Sequence, residues 1–373
     1  MINQDQREQL LKSYYRLRSG YFLAFPSPEQ IQIRVQNRQE SVVWLRQTAG
    51  EEWLTTLFQQ MNGLYTLQQL LAMLPEHRYE DGFKVMVALA SKGLIERSNT
   101  PFIPSQIFSP LQQHLLGARQ FDPSWLENTL LETRVLMIGA GMIGSRVAFG
   151  LAHAGVQNLT IWDEQVVTEA DQSASPIYAN ASLNQTRAVV LAEFLEQIKT
   201  GMTTQVKEVE LLETYLQEEI EKVDLILVVE DQFSPQLYRL VNQIAIQLDK
   251  RWSMVLVDGW DIYIGPTFFP RQSGCYECME QGFTTSLNHA ASYVSYRDGK
   301  GITPNLCWPP FADLVAGYLV SDITHIIGKM PQRIEPGTGL TIGRQLHINL
   351  KSYNAMVYEV GRELDCPICG KKQ

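Results

Sequence analysis

The chain has 373 residues, 45% hydrophobic and 19% charged, with a formal net charge of -9. That length implies two domains, each able to bury a core, and the acidic balance argues against a general nucleic-acid binder. No apolar run looks long enough to span a bilayer, and the polar start "MINQDQREQLLKSYYRLRSG" lacks the apolar core of a signal peptide. A cytoplasmic protein without a membrane or nucleic-acid partner is expected.

Residues 5–18 read as a helix. "YFLAF" (21–25), "IQIRV" (31–35) and "SVVWLR" (41–46) read as short strands, with Pro26 and Pro28 separating the first two. "EEWLTTLFQQM", "TLQQLLAML" and "EDGFKVMVALASKGLIER" follow with helical apolar spacing, as in Trp53, Leu54, Leu57 and Phe58. Thr66 suits an N-cap and Gly93 a C-terminal stop. Three strands followed by three helices resemble a winged-helix-like α+β unit over residues 1–100. Residues 101–133 form a linker and entry helix, introduced by the proline-bearing "NTPFIPSQIFSP" (99–110).

From Arg134 strands and helices alternate. "RVLMIG", "NLTIWD", "TTQVKEVEL", "DLILVVED" and "MVLVDGW" read as strands, with helices near 141–154, 185–199 and 235–248. This predicts an α/β fold, a Rossmann-like and mostly parallel sheet covered by helices, over 134–373. Residues 282–305 read as a mobile crossover loop, 311–328 as an apolar helix, and 344–360 as two strands turning near Tyr353 and Asn354.

Gly139, Gly141 and Gly144 fit GxGxxG between a strand and a helix. Such a loop permits a tight turn, lets phosphate approach the backbone and offers helix N-terminal amides to an anion. Asp163 ends the next strand, where an acid binds ribose hydroxyls. The glycines alone leave a hydride-carrying dinucleotide and ATP both open.

"RVLMIGAGMIGSRVAFGLAHAGVQNLTIWDEQVV", and above all its phrase "AGVQNLTIWD", resembles the adenylating domain of the E1-like family. That family comprises the activators of thiamine and molybdopterin sulfur carriers and the ubiquitin-activating enzymes, and the similarity extends over about residues 115–373. The resemblance implies ATP with Mg²⁺, and Asp163 as the ribose acid. It places the family's Asn on Asp171 and its phosphate-contacting Arg on Ala174, a departure, since "TEADQSASP" holds no basic residue. The family's phosphate-binding Lys falls on Arg187, whose planar fork suits phosphate. Asp231, in "DLILVVEDQ", becomes the Mg²⁺-associated acid or, structurally, a cap for the helix beginning near Ser234. Arg146 follows the loop and is either a phosphate ligand or a surface residue. Arg119, in an "RQ" pair, matches an arginine that the family lends to a neighbouring subunit, which implies a homodimer. Arg187, Asp231 and Arg119 are thus the expected catalytic residues.

Cys275 and Cys278 ("GCYECM") and Cys366 and Cys369 ("DCPICG") form two CxxC pairs, four thiolates of the kind that structural Zn²⁺ prefers. The sulfur-carrier activators carry the same pairs in the same order, which implies a structural zinc. Cys307 is read as non-catalytic, and His289 and His347 receive no role.

The N-terminal unit resembles the leader-binding recognition element of enzymes that modify ribosomally made peptides. That resemblance implies a leader peptide added as a strand to "IQIRV" or "SVVWLR", beside a groove lined by Val85, Val87 or Leu89. The combination implies an enzyme that uses ATP to activate a carboxylate of a precursor peptide, a glutamate side chain among the candidates, for cyclisation. The rivals are activation of a ubiquitin-like sulfur carrier, a non-catalytic leader-presenting module and, more distantly, a dehydrogenase.

Overall fold

In this computed structural model the described residues are 3–18, 20–35, 41–102, 105, 108, 123–286, 294, 295, 307–329 and 340–370. They fall into two units, Met1–Glu127 and Asn128–Gln373.

The first unit opens with the helix Gln4–Lys12, where Asn3 and Gln6 cap each other. The expected continuation to residue 18 does not occur. The chain becomes extended at Ser13, and Tyr14–Leu17 is strand β1. Strands β2 (Tyr21–Ser27), β3 (Gln30–Val35) and β4 (Ser41–Arg46) form an antiparallel meander with β3 in the middle. "IQIRV" is therefore paired on both sides and offers no edge; among the described residues the outer strands of this sheet are β2 and β4, the latter being "SVVWLR".

β1 pairs with β5 (Asn62–Thr66) and β6 (Ile95–Ser98), two partners remote in sequence, and this tertiary pairing overrides the local helical pattern. β6 follows the stop expected at Gly93, at the end of the third predicted helix. That helix is Tyr79–Ser91, and Gly93, at φ 66°, turns the chain back. Thr66 caps the helix Leu67–Ala72 in a reciprocal box with Gln69. Ile31 and Ile33 bury against Leu54, Leu57, Leu70 and Met86. Leu89 belongs to this core, whereas Val85 and Val87 are half-buried beside it.

The second unit is built on an eight-stranded sheet. Its parallel part is β7 (Arg134–Ile138), β8 (Asn158–Trp162), β9 (Thr203–Lys207), β10 (Leu225–Val228) and β11 (Arg251–Asp258). β12 (Asp261–Phe268), β13 (Arg344–Asn349) and β14 (Asn354–Glu359) extend it antiparallel, in the order β14-β13-β12-β11-β10-β7-β8-β9. The expected strand ending at Trp260 is one arm of the β11–β12 hairpin. The helix Glu213–Lys222 was not foreseen either.

Ile138, Trp162 and Val228 stand in one register row at the carboxyl ends of β7, β8 and β10. β8 continues from β7 on one side while β10 lies on the other. The sheet order thus reverses at β7, and open α/β sheets bind ligands beside such a reversal.

Of the predicted crossover loop, 282–286 instead complete the helix Tyr276–Ser286, and the remainder, apart from 294 and 295, lies outside the described residues. The helix Pro309–Lys329 corrects the expectation about apolar length. Its first 20 residues are long and apolar enough to cross a bilayer, yet Val315, Leu319, Ile323 and Ile326 are buried where it packs on the helix Met142–Ala154 and on β12. It is a core helix of this unit.

Candidate active site and metal centre

The loop after β7 turns at Gly139, φ 99°, whose N–H donates to the Trp162 carbonyl at 2.9 Å. Gly141 precedes the helix Met142–Ala154. A Cβ there would stand 2.1 Å from Asp231 Oδ2, so only glycine fits. Gly144 has the same need, since its Cβ would meet the Gly139 carbonyl oxygen at 2.1 Å. The Asp231 carboxylate accepts from Met142 N (2.7 Å) and Ile143 N (2.8 Å). Asp231 therefore caps the glycine-loop helix, not the helix Pro235–Gln247 considered from sequence; that helix has Ser234 at its N-cap position and proline at its start. Burial pushes the Asp231 carboxyl up, against the two amides that hold it down.

Asp163 is turned into the loop. Its Oδ2 accepts from Ala140 N (2.8 Å) and its Oδ1 from Gln165 N (2.8 Å). Each oxygen keeps a lone pair for a further donor. Beside it lies a cavity of about 340 Å³ with an apolar wall of Ile138, Trp162, Leu211, Leu237 and Leu240 and an acidic rim of Asp163 and Glu230. That volume and mixture suit a small ligand with a flat apolar part and hydroxyls. Burial, helped by Asp163 and Asp231, pushes the Glu230 carboxyl up to about 7.

Arg187 starts its helix and points back. Nη1 donates to Gln165 Oε1 (2.8 Å), and Nε (3.0 Å) and Nη2 (2.9 Å) reach Asp171 Oδ2. Asp171, 7% exposed, also accepts from Thr168 N and Oγ1 at 2.8 and 2.6 Å. Arg146 is held too: Nη1 donates to Met142 O (3.0 Å), Nη2 to Ala174 O (2.8 Å) and Nε to the Asp313 carboxylate. A guanidinium thus stands against Ala174, the position that lacks the expected arginine.

The sequence reading missed Tyr178, which is fully buried and donates from its hydroxyl to the Ala140 carbonyl. It also missed Gln165, Glu230 and Asp313. A buried tyrosine and scattered polar residues carry no spacing signal, and their roles arise only from packing. Cys307 lies close enough to Asp231 and Arg146 to feel both, but burial first and Asp231 second push its thiol up to about 12, so it is a poor nucleophile at neutral pH. Arg119 and His289 lie outside the described residues. His347 contacts Asp261 Oδ1 at 2.6 Å, away from the glycine loop.

The four paired cysteines converge. Cys275, Cys278, Cys366 and Cys369 are buried, with sulfurs all within 4.8 Å of one another and closest contacts of 3.3 to 3.8 Å. Zn–S bonds of about 2.3 Å in a tetrahedron require S···S separations of about 3.8 Å, so the set fits a tetrahedral ion. Gly274 and Gly370 allow the tight approach, since a Cβ at either would stand 2.3 or 2.4 Å from a backbone oxygen. The Glu363 amide donates to Cys278 Sγ at 3.4 Å, outer-shell support of the kind that thiolate ligands use.

The ThiF family model matches residues 114–367. The chain belongs to the ThiF family. Among curated proteins, it is 26% identical over 157 residues to the adenylyltransferase and sulfurtransferase MOCS3 of Caenorhabditis briggsae, covering 41% of this chain and 38% of that protein. It is 22% identical over 153 residues to the sulfur carrier protein ThiS adenylyltransferase of Escherichia coli, covering 41% of this chain and 60% of that one. The matched stretches therefore span less than two thirds of either relative. Among solved structures, E. coli MccB aligns with a TM-score of 0.66 at 15% identity, over 96% of this chain and 99% of MccB. The microcin C7 biosynthetic enzyme MccB, solved with N-formylated MccA, gives 0.66 at 16% over 95% and 99%. PaaA gives 0.64 at 14% over 92% and 99%. At these identities the likeness shows the fold: a ThiF-family α/β unit preceded by a smaller sheet-containing unit.

Proposed function

We propose that the protein is an ATP- and Mg²⁺-dependent adenylyltransferase that activates a carboxylate of a ribosomally made precursor peptide, a glutamate side chain being one candidate, for cyclisation. The observation that carries this reading is the pairing, in one chain, of a ThiF-family glycine-loop site with an N-terminal sheet unit. That pairing parallels MccB, solved with MccA, over nearly the whole of both chains.

Each residue acts by ordinary chemistry. The apolar wall takes the adenine, and Asp163 accepts from the ribose hydroxyls. The amides after Gly141 and the fork of Arg187 meet the phosphates. Arg146, standing at the Ala174 gap, adds positive charge. Asp171 orients Arg187, and Asp231 serves the cation. The peptide carboxylate oxygen bonds to the α-phosphorus of ATP, the α–β bridging bond breaks, and pyrophosphate leaves with the electron pair. A nucleophile of the peptide then displaces AMP. The fixed donors stabilise the charge that develops on the phosphate oxygens.

The leader docks on residues 1–100 along the outer strand β4, which raises the effective concentration of the core peptide at residues 134–373. Zinc on the four cysteines is structural, since four thiolates leave no open position. The protein works in the cytoplasm, where the thiols stay reduced, as a homodimer in which Arg119 completes the neighbour's site.

The second reading, activation of a sulfur carrier, draws on the ThiS adenylyltransferase likeness. One experiment separates the two: incubate the full chain and ATP with a candidate precursor peptide, or with a carrier ending in Gly-Gly, and identify the product by mass spectrometry. Loss of water or gain of AMP on the peptide supports the first reading. Modification of the carrier alone supports the second.

A further inference from the structure

Several donors at the candidate phosphate site already hold internal acceptors. Arg187 is held by Asp171, Arg146 by Asp313 and the Ala140 amide by Asp163. The most consequential case is Asp231. Its two oxygens take the Met142 and Ile143 amides at 2.7 and 2.8 Å, the first amides of a 13-residue helix whose N-cap, Gly141, has no side chain to offer. The carboxylate fills the hollow left by the missing Gly141 side chain, because a Cβ there would stand 2.1 Å from Oδ2. Two carboxylate oxygens on two helix amides copy the way a phosphate would bind there.

A phosphate oxygen and Asp231 cannot share the same two N–H groups, and two adjacent anions repel. The carboxylate has to leave before phosphate takes the amides, and once displaced it needs a new partner. A hard divalent cation that takes oxygen ligands from an acid and from phosphates together is the partner that removes both costs. Resting on the ATP reading above, we propose that Asp231 is a positioning residue that seals the glycine-loop amides in the nucleotide-free protein and gives them up to polyphosphate when a divalent cation accepts its carboxylate. The cation then acts as the key to the phosphate cradle, in addition to neutralising charge. Binding of cation and nucleotide becomes cooperative through one side chain, and metal-free nucleotide is held off.

The test uses the full chain and calorimetric binding of ATP and of inorganic tripolyphosphate, each with EDTA and with Mg²⁺. Asp231→Ala vacates both amides, and Asp231→Asn keeps one acceptor oxygen. Metal-free affinity is expected to rise about tenfold or more, roughly 1.4 kcal/mol, in Asp231→Ala and by less in Asp231→Asn. Added Mg²⁺ should tighten binding in the wild type but not in Asp231→Ala. The gain should persist at high salt, where the effect of merely removing a charge is screened. If Asp231→Ala does not fold, the Asn variant carries the same comparison. Metal-free affinity that stays unchanged or falls in the variants overturns the proposal, as does a gain that vanishes at high salt. If the wild type binds no nucleotide even with Mg²⁺, the ATP reading itself fails.

Discussion

Arg187 and Asp171 form a buried ion pair in which Nε and Nη2 both reach Oδ2, at 3.0 and 2.9 Å, with side-chain exposures of 15% and 8%. A buried pair of this kind costs most when one partner is lost. Arg187→Met leaves the Asp171 carboxylate without its cation and is expected to destabilise the protein by about 3 kcal/mol or more. Asp171→Asn, which keeps an acceptor for Thr168, should cost less. Urea unfolding of the nucleotide-free protein measures both, and a loss below about 1 kcal/mol for Arg187→Met would show that the pair is incidental.

Glu230 gives the protein a pH signature. Its carboxyl is raised from an ordinary 4.5 to about 7, first by burial and then by Asp163 and Asp231. A raised folded-state pKa contributes stability that is complete below the unfolded value and is lost as pH rises through the folded one. The Glu230 contribution should therefore fall away between about pH 4.5 and pH 7. Thermal unfolding across that window should show a shallower decline in Glu230→Gln than in the wild type. Parallel profiles would remove Glu230 from the account.

Metal removal should be costly. Four buried sulfurs within 4.8 Å of one another, from residues 275–278 and 366–369, tie the chain's end to the helix Tyr276–Ser286. Metal binding to such a set is itself folding energy. A strong chelator, or Cys366→Ser, should lower the unfolding midpoint by several degrees, with stoichiometric zinc in the untreated protein by elemental analysis. Zinc-free protein of unchanged midpoint would contradict a structural metal.

Trp44, 52% exposed on the edge strand β4, is the largest apolar side chain at the proposed leader site. Truncating an aromatic anchor at an interface typically costs a tenfold or greater loss. Trp44→Ala should therefore raise KM for the full precursor peptide about tenfold while leaving ATP affinity unchanged. Equal KM values for the two proteins would move the leader to another surface.

Legibility from sequence followed how local each signal was. β7, the glycine loop and β8 were readable because strand, turn and helix carry their patterns within thirty or so consecutive residues. The cysteine pairs were readable because CxxC spacing encodes its own geometry. β1 reads as helix from its local pattern, and β6, beyond the stop at Gly93, carries no strand signal of its own, since what makes Tyr14–Leu17 and Ile95–Ser98 extended is their pairing with each other across the unit. The same limit applied to the site. Asp231 could be placed at a strand end, but its position on the Met142 and Ile143 amides, 89 and 88 residues earlier in the chain, follows only from β10 lying beside β7. Arg146 at the Ala174 carbonyl and Tyr178 under Ala140 are likewise products of packing.

The central claim is that this ThiF-family site adenylates a peptide carboxylate. It is tested most directly by following ATP by phosphorus NMR while the full chain, Mg²⁺ and a precursor peptide react. The account predicts peptide-dependent formation of pyrophosphate and AMP, or of pyrophosphate and an AMP-bearing peptide. Formation of ADP and inorganic phosphate, or no ATP consumption with a peptide that binds, would contradict it.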